Sequence, residues 1–204
     1  MQNYERIIQY AMEQELYGHD FYKKNANLFD EANTRKIFET LSDVELEHYK
    51  YLQKLLESYK ESGTFEEEIE MPEDNFTDAM LQEYDDNVEE LDVPNTPEGA
   101  EIPDIKEGVG DSDNERIFDR QKEENKLEAT IEQSMTPDLN VLRMAYLIER
   151  DFQEFYQNVA DRVDDDKLRE VFVELSGWED GHAKLFKREY DRRMSDYMNM
   201  PWGG

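Results

Sequence analysis

Four stretches of this chain place apolar residues at alternating spacings of three and four, the period of a helix with one buried face. The first runs from Tyr4 to Leu28 through Ile8, Ala11, Met12, Gly18, Phe21, Tyr22 and Ala26. The second, Thr34 to Lys60, carries Ile37, Phe38, Leu41, Val44, Leu52 and Leu55. The third starts after Thr136 and runs to about Asp161 with Leu142, Ala145, Tyr146, Phe152, Phe155, Tyr156 and Val159. The fourth continues to about Arg193 through Leu168, Val171, Phe172, Leu175, Trp178, Leu185 and Phe186. The flanking residues supply the boundaries. Asn33 is the expected N-cap of the second helix and Ser62-Gly63 its end. Thr136-Pro137-Asp138 opens the third, with Pro at the first helical position and an acid in the first turn. Asp164-Asp165-Asp166 caps the fourth.

Polar residues interrupt each stripe where an apolar one belongs. They are Glu15 in the first helix, Glu45 and His48 in the second, Glu149 in the third, and Glu179 and His182 in the fourth. Glu45-x-x-His48 puts a carboxylate and an imidazole on one helical face, one turn apart, where both can reach the same metal ion. One such pair is a common coincidence. Here it occurs twice, each time one helix after a buried-face glutamate.

The duplication extends beyond the polar residues. A shift of 134 residues overlays Glu15 on Glu149, Phe21-Tyr22 on Phe155-Tyr156 and Ala26 on Ala160. It also overlays Arg35 on Arg169, Phe38 on Phe172, Leu41-Ser42 on Leu175-Ser176, Glu45 on Glu179 and His48 on His182. Two helix-hairpins that cannot bury their stripes alone would pack into one all-α antiparallel four-helix bundle. The expected organisation is a single domain over residues 1–204, with hairpins 4–61 and 137–194, a crossover 62–136 and a frayed tail 195–204.

The crossover differs in composition. Residues 61–113 hold 20 Asp and Glu against one Lys, a net charge of −19 within a chain total of −29. Pro72, Pro94, Pro97 and Pro103 fall there too. A short helix is expected over Asn75–Leu91, a highly charged surface helix over Asn114–Gln133, and solvated extended chain elsewhere. So acidic a chain is a poor partner for nucleic acid or an anionic membrane surface. No apolar run approaches the ~18 residues of a membrane span, and the start lacks the order of a secretion signal, so a cytoplasmic location is expected. The sequence contains no cysteine, which excludes disulfides and thiolate-held metal in this chain.

Four carboxylates facing a bundle interior lose several kcal/mol of hydration each, which nothing in an apolar core returns. Two divalent cations balance them, and two neutral imidazoles complete a binuclear site. This is the established ligand pattern of di-iron and di-manganese bundles. Oxygen-rich ligands with one nitrogen per metal favour iron or manganese, with zinc as a substitute.

On Glu15 with Phe21-Tyr22, Glu45-x-x-His48, Glu149 with Phe155-Tyr156, and Glu179-x-x-His182, the chain resembles the rubrerythrin branch of the ferritin-like superfamily. The resemblance covers about residues 4–61 and 137–193. It implies a ferritin-like bundle whose two iron ions, held by Glu15, Glu45, His48, Glu149, Glu179 and His182, react with hydrogen peroxide or dioxygen. It implies an external electron donor, a homodimer, and Tyr22 and Tyr156 hydrogen-bonded to the ligating carboxylates. The long crossover would even permit hairpin exchange between chains. A di-iron peroxidase or ferroxidase is therefore expected, the alternative being a non-catalytic iron-binding, storage or delivery module. Two features depart from the family. The rubredoxin-like domain that most members carry needs four cysteines. Phe152, beside Asp151, stands where many members have a further glutamate. His19 has Gln153 as its repeat counterpart and is expected at the surface; Trp178 and Phe152 are expected in the core.

Overall fold

A computed structural model describes residues 3–65, 69–87 and 136–199. Among them are five α-helices and no strand. Helix α1 is Tyr4–Asn25, continued by a single 3-10 turn, Ala26–Leu28. Helix α2 is Ala32–Ser62, α3 is Asn75–Asn87, α4 is Pro137–Ala160 and α5 is Asp166–Asn199. The chain is all-α, with α1 packed on α2, α4 on α5, and α1 on α4. The connections within each hairpin are short, so the helices they join run antiparallel. The expected helix over Asn114–Gln133, residues 88–91 of the expected short helix, and the end of the tail lie outside the described residues.

The two hairpin turns are closed alike, which explains one of the matches in the repeat. Arg35 donates from Nε and Nη2 to the Phe29 carbonyl at 3.1 and 2.7 Å. Arg169 donates to the Val163 carbonyl at 2.8 Å, and Val163 lies 134 residues after Phe29. In each hairpin the arginine satisfies a loop carbonyl that the preceding helix leaves unpaired.

Three boundaries differ from expectation for identifiable reasons. Helix α2 begins at Ala32, so Asn33 lies inside its first turn and Glu31 takes the N-cap position, without a side-chain cap. The Glu31 carboxylate is drawn instead to Arg192 and Arg193 of α5, at 2.6 and 3.2 Å. Thr136 does hold the N-cap position of α4 but makes no side-chain cap hydrogen bond. Helix α5 continues past Arg193 to Asn199, because Arg193 and Tyr197 both hold Asp138 of α4, at 2.7 and 3.0 Å. Other ends agree with the sequence: Asp165 accepts from the Leu168 N–H at 3.0 Å, and Gly63 closes α2 with φ +76°.

The core is continuous. Ile8, Ala11, Ile37, Phe38, Leu41, Leu52, Val141, Leu142, Ala145, Leu168, Phe172, Leu175, Leu185 and Phe186 are all fully buried. Tyr22, Phe38 and Phe186 meet ring to ring on one side of the polar residues, and Tyr156 meets Phe172 on the other. Helix α3 adds a fifth element outside the bundle, against α5.

Candidate metal centre

Each of the four bundle helices contributes to one buried polar cluster. Helix α1 supplies Glu15, α2 Glu45 and His48, α4 Glu149, and α5 Glu179 and His182, each at most 1% exposed. They form two overlapping groups whose ligand-type atoms lie within 4.8 Å of one another: Glu15, Glu45, His48 and Glu179, and Glu45, Glu149, Glu179 and His182. Glu45 and Glu179 belong to both.

Each shared carboxylate turns one oxygen to each half of the cluster. Glu45 presents Oε2 to His48 Nδ1 at 3.4 Å and Oε1 to His182 Nδ1 at 3.2 Å. Glu179 presents Oε1 to His48 Nδ1 at 3.9 Å and Oε2 to His182 Nδ1 at 3.3 Å. Glu15 Oε2 lies 3.4 Å from His48 Nδ1, and Glu149 Oε2 lies 3.6 Å from His182 Nδ1. The two imidazoles are nearly parallel, with centroids 5.9 Å apart.

Two tyrosines cross between the hairpins. Tyr22 of α1 donates its hydroxyl to Glu149 Oε1, and Tyr156 of α4 donates to Glu15 Oε1. Each terminal glutamate thus has one oxygen tethered and the other, Oε2, without a hydrogen-bond partner. Both oxygens of Glu45, Glu179 Oε1 and His48 Nδ1 are also buried without a partner. Orphaned buried acceptors are rare and need an explanation. These point inward together, and a pair of cations fits their number, charge and chemistry.

Without cations the cluster shares protons. Burial, then the neighbouring Glu45, pushes Glu15 up to about 8. Burial, then Glu45 and Glu149, raises Glu179 well above the carboxylate range. Burial also acts to raise Glu45, but the contacts from His182 and His48 outweigh it and hold that carboxyl below its usual range. Burial acts to lower the two histidines, but facing carboxylates prevail. His48 is raised to about 9 by Glu15 and Glu45, and His182 is raised by Glu149, Asp74 and Glu179.

For four residues the structure corrects or adds to the sequence reading. His19, expected at the surface, is buried; its Nδ1 lies 2.7 Å from the Ser42 carbonyl, while the Ser42 hydroxyl donates to the His19 carbonyl at 3.0 Å. Ser176 makes the matching bond to the Gln153 carbonyl at 3.2 Å, so the α1–α2 and α4–α5 contacts are repeated even though the side chains at 19 and 153 differ. Trp178, expected in the core, is half-buried and stacks on His48, centroids 4.6 Å apart. Phe152 is buried as expected, but it fills the space left by Gly18. A Cβ on Gly18 would stand 3.4 Å from the Phe152 ring and 3.3 Å from Glu45. Asp151 is exposed.

The fourth is Asp74, which sequence reasoning missed. From the crossover it reaches His182, Oδ2 to Nε2 at 2.8 Å. Burial would raise its carboxyl, but His182 holds it down at about 2. A signal was present in Gly181. It occupies the place of Glu47 in the first hairpin, and a Cβ there would stand 3.2 Å from Thr77 of α3.

Residues 105–197 match the family model described as Rubrerythrin. The matched segment contains α4 and nearly all of α5. No curated protein and no solved structure gives a significant match. Among the described residues no helix is long and apolar enough to cross a membrane. The repeated glutamates and Glu-x-x-His pairs, the all-helical architecture of the described residues and this match over residues 105–197 support a rubrerythrin-like protein of ferritin-like type, with no rubredoxin domain evident in its cysteine-free sequence.

Proposed function

We propose that the chain is a di-iron oxidoreductase that reduces hydrogen peroxide or dioxygen. Glu45 and Glu179 would be shared by the two ions, Glu15 and His48 would complete one half-site, and Glu149 and His182 would complete the other. The observation that carries the proposal is the pair of shared carboxylates, each turning one oxygen toward each histidine. Bound there, two ferrous ions supply the two electrons that convert peroxide and two protons into two waters, and an external donor restores them. The protein's part is to hold and neutralise. Tyr22 and Tyr156 fix one oxygen of each terminal glutamate and leave the other free to bind. The surrounding aromatic core excludes water, so the carboxylates act on the ions in a medium that screens them weakly.

The test is anaerobic loading with two equivalents of Fe(II), followed by peroxide, with ferric absorbance recorded against time. Oxidation much faster than that of free iron, lost in the Glu45→Ala/His48→Ala variant, is the expected result. Oxidation no faster than in buffer rejects the enzyme assignment.

A second function, iron handling without turnover, draws on a separate observation. A cleft of about 230 Å3 beside the centre is lined by Glu73, Asp74, Asp78 and Glu174 together with Trp178 and Gly181. Uptake of iron well beyond two per chain would favour storage. A ceiling of two, whatever the excess, would count against it.

A further inference from the structure

The two half-sites are built from repeated residues, yet the structure makes them unequal. Asp74 Oδ2 meets His182 Nε2 at 2.8 Å, while Asp74 Oδ1 accepts the Thr77 N–H at 3.1 Å and so caps the start of α3. One buried carboxylate therefore joins the crossover helix to a histidine of the cluster. The helix is pinned at its other end as well. Tyr84 donates to the buried Glu189 at 2.5 Å, and Arg188 donates to the Leu81 carbonyl at 2.9 Å. Gly181 lets Thr77 come close to α5. His48 has a different environment. The carboxylates it meets among the described residues all face Nδ1, and its ring face lies on Trp178.

Resting on the metal-centre proposal above, we infer that Asp74 is a positioning residue for His182 that makes the Glu149–His182 half-site the tighter of the two. A carboxylate at Nε2 fixes the proton there, so the Nδ1 lone pair is turned to Glu45, Glu149 and Glu179. It also holds the ring in plane before an ion arrives and makes Nδ1 more basic. Because α3 is pinned at both ends, Asp74 is itself held in place. The acidic insertion thus contributes a specific group to one half of a duplicated site.

Substituting Asp74→Asn separates this role from capping. Asn caps helices about as well as Asp, so α3 keeps its start. Its amide nitrogen can face Nε2, however, and then stabilises the tautomer with the proton on Nδ1, where a metal should bind. Co(II), an oxygen-stable stand-in for Fe(II), is titrated by calorimetry and by its visible absorption. In the unaltered chain we expect two ions per chain in two resolved steps. In Asp74→Asn the tighter step weakens by about 10- to 100-fold, and the weaker step stays in place. In a His182→Gln background Asp74→Asn adds nothing further. Tyr84→Phe, which loosens the far end of α3, leaves the tighter step within a small factor of its original affinity. Two bound ions with an Asp74→Asn titration that overlays the original overturns the inference and leaves the metal centre standing. So does equal weakening of both steps. No Co(II) uptake at all removes the metal centre and the inference together.

Discussion

The Tyr22 hydroxyl on the first hairpin is hydrogen-bonded to Glu149 on the second, 127 residues further along the chain. Tyr156 and Glu15 make the reciprocal bond. Each hairpin thus supplies the phenol that orients the other's terminal carboxylate, and neither hairpin forms the centre alone. Tyr22→Phe should leave Glu149 Oε1 buried with no donor, at a cost of about 1–3 kcal/mol. For a chain of this size that corresponds to a loss of roughly 2–4 °C in Tm per kcal/mol. Thermal melts of Tyr22→Phe, Glu149→Gln and the double variant check it. The double variant should lose less than the two single losses combined, because the groups share one bond.

The proton-sharing cluster sets a pH dependence. Glu15 and His48 are raised, from 4.5 to about 8 and from 6.5 to about 9. Each binds its proton more tightly folded than unfolded. Their contribution is fully present below the unfolded values and is lost as pH rises through the folded ones. Glu45 is lowered and acts oppositely, losing its contribution only as pH falls into the acid range. Chelated protein should therefore melt at progressively lower temperature between about pH 6 and 9. Metal replaces those protons, so loaded protein should lack that decline, and loading should release protons. Melts across the range, with and without chelator, separate the two cases. A flat profile for the chelated protein would contradict the assignment.

Shared and terminal carboxylates should fail differently. Glu179→Gln removes a group that both half-sites use, and it mimics the protonated form that burial and three neighbouring glutamates favour. Metal-free Glu179→Gln should melt no lower than the original chain, with its advantage growing as pH rises, yet hold neither ion well. Glu15→Gln touches one half-site, so one ion should remain. Metal content after dialysis decides between two, one and none. Equal loss in both variants would argue against Glu179 as a bridge.

How much of this was legible in the sequence follows from where each residue stands in the repeat. The six buried polar residues could be found because each interrupts an apolar stripe and recurs at one offset. Arg35 and Arg169 also recur, but their task of closing the hairpin turns depends on backbone carbonyls, which leave no trace in side-chain identity. His19 was misplaced because the repeat pairs it with Gln153, although the conserved feature is a serine bonding to the backbone at either position. Glu31 displaced Asn33 as the start of α2 because arginines 161 and 162 residues away hold its carboxylate. Asp74 lies in an insertion with no counterpart in the other hairpin, so periodicity was silent about it, and internal comparison offered only the indirect signal of Gly181 opposite Glu47.

Two glycines of α5 should respond oppositely to the same substitution. Around Gly177 an added Cβ would meet nothing within 4 Å. Gly177→Ala should therefore express only the helix preference of alanine, worth about 0.8–1 kcal/mol, and raise Tm by roughly 2–4 °C. At Gly181 the same preference is opposed by a contact at 3.2 Å with the Thr77 methyl. Helix α5 gains, but α3 must shift outward, and Asp74 moves with it. Gly181→Ala should leave Tm close to the original while speeding amide exchange across residues 75–84, the part of α3 pinned against α5. Hydrogen exchange read by mass spectrometry resolves that segment from α5. If Gly181→Ala gives the same rise in Tm as Gly177→Ala and unchanged exchange in α3, the close seating of the crossover helix is wrong.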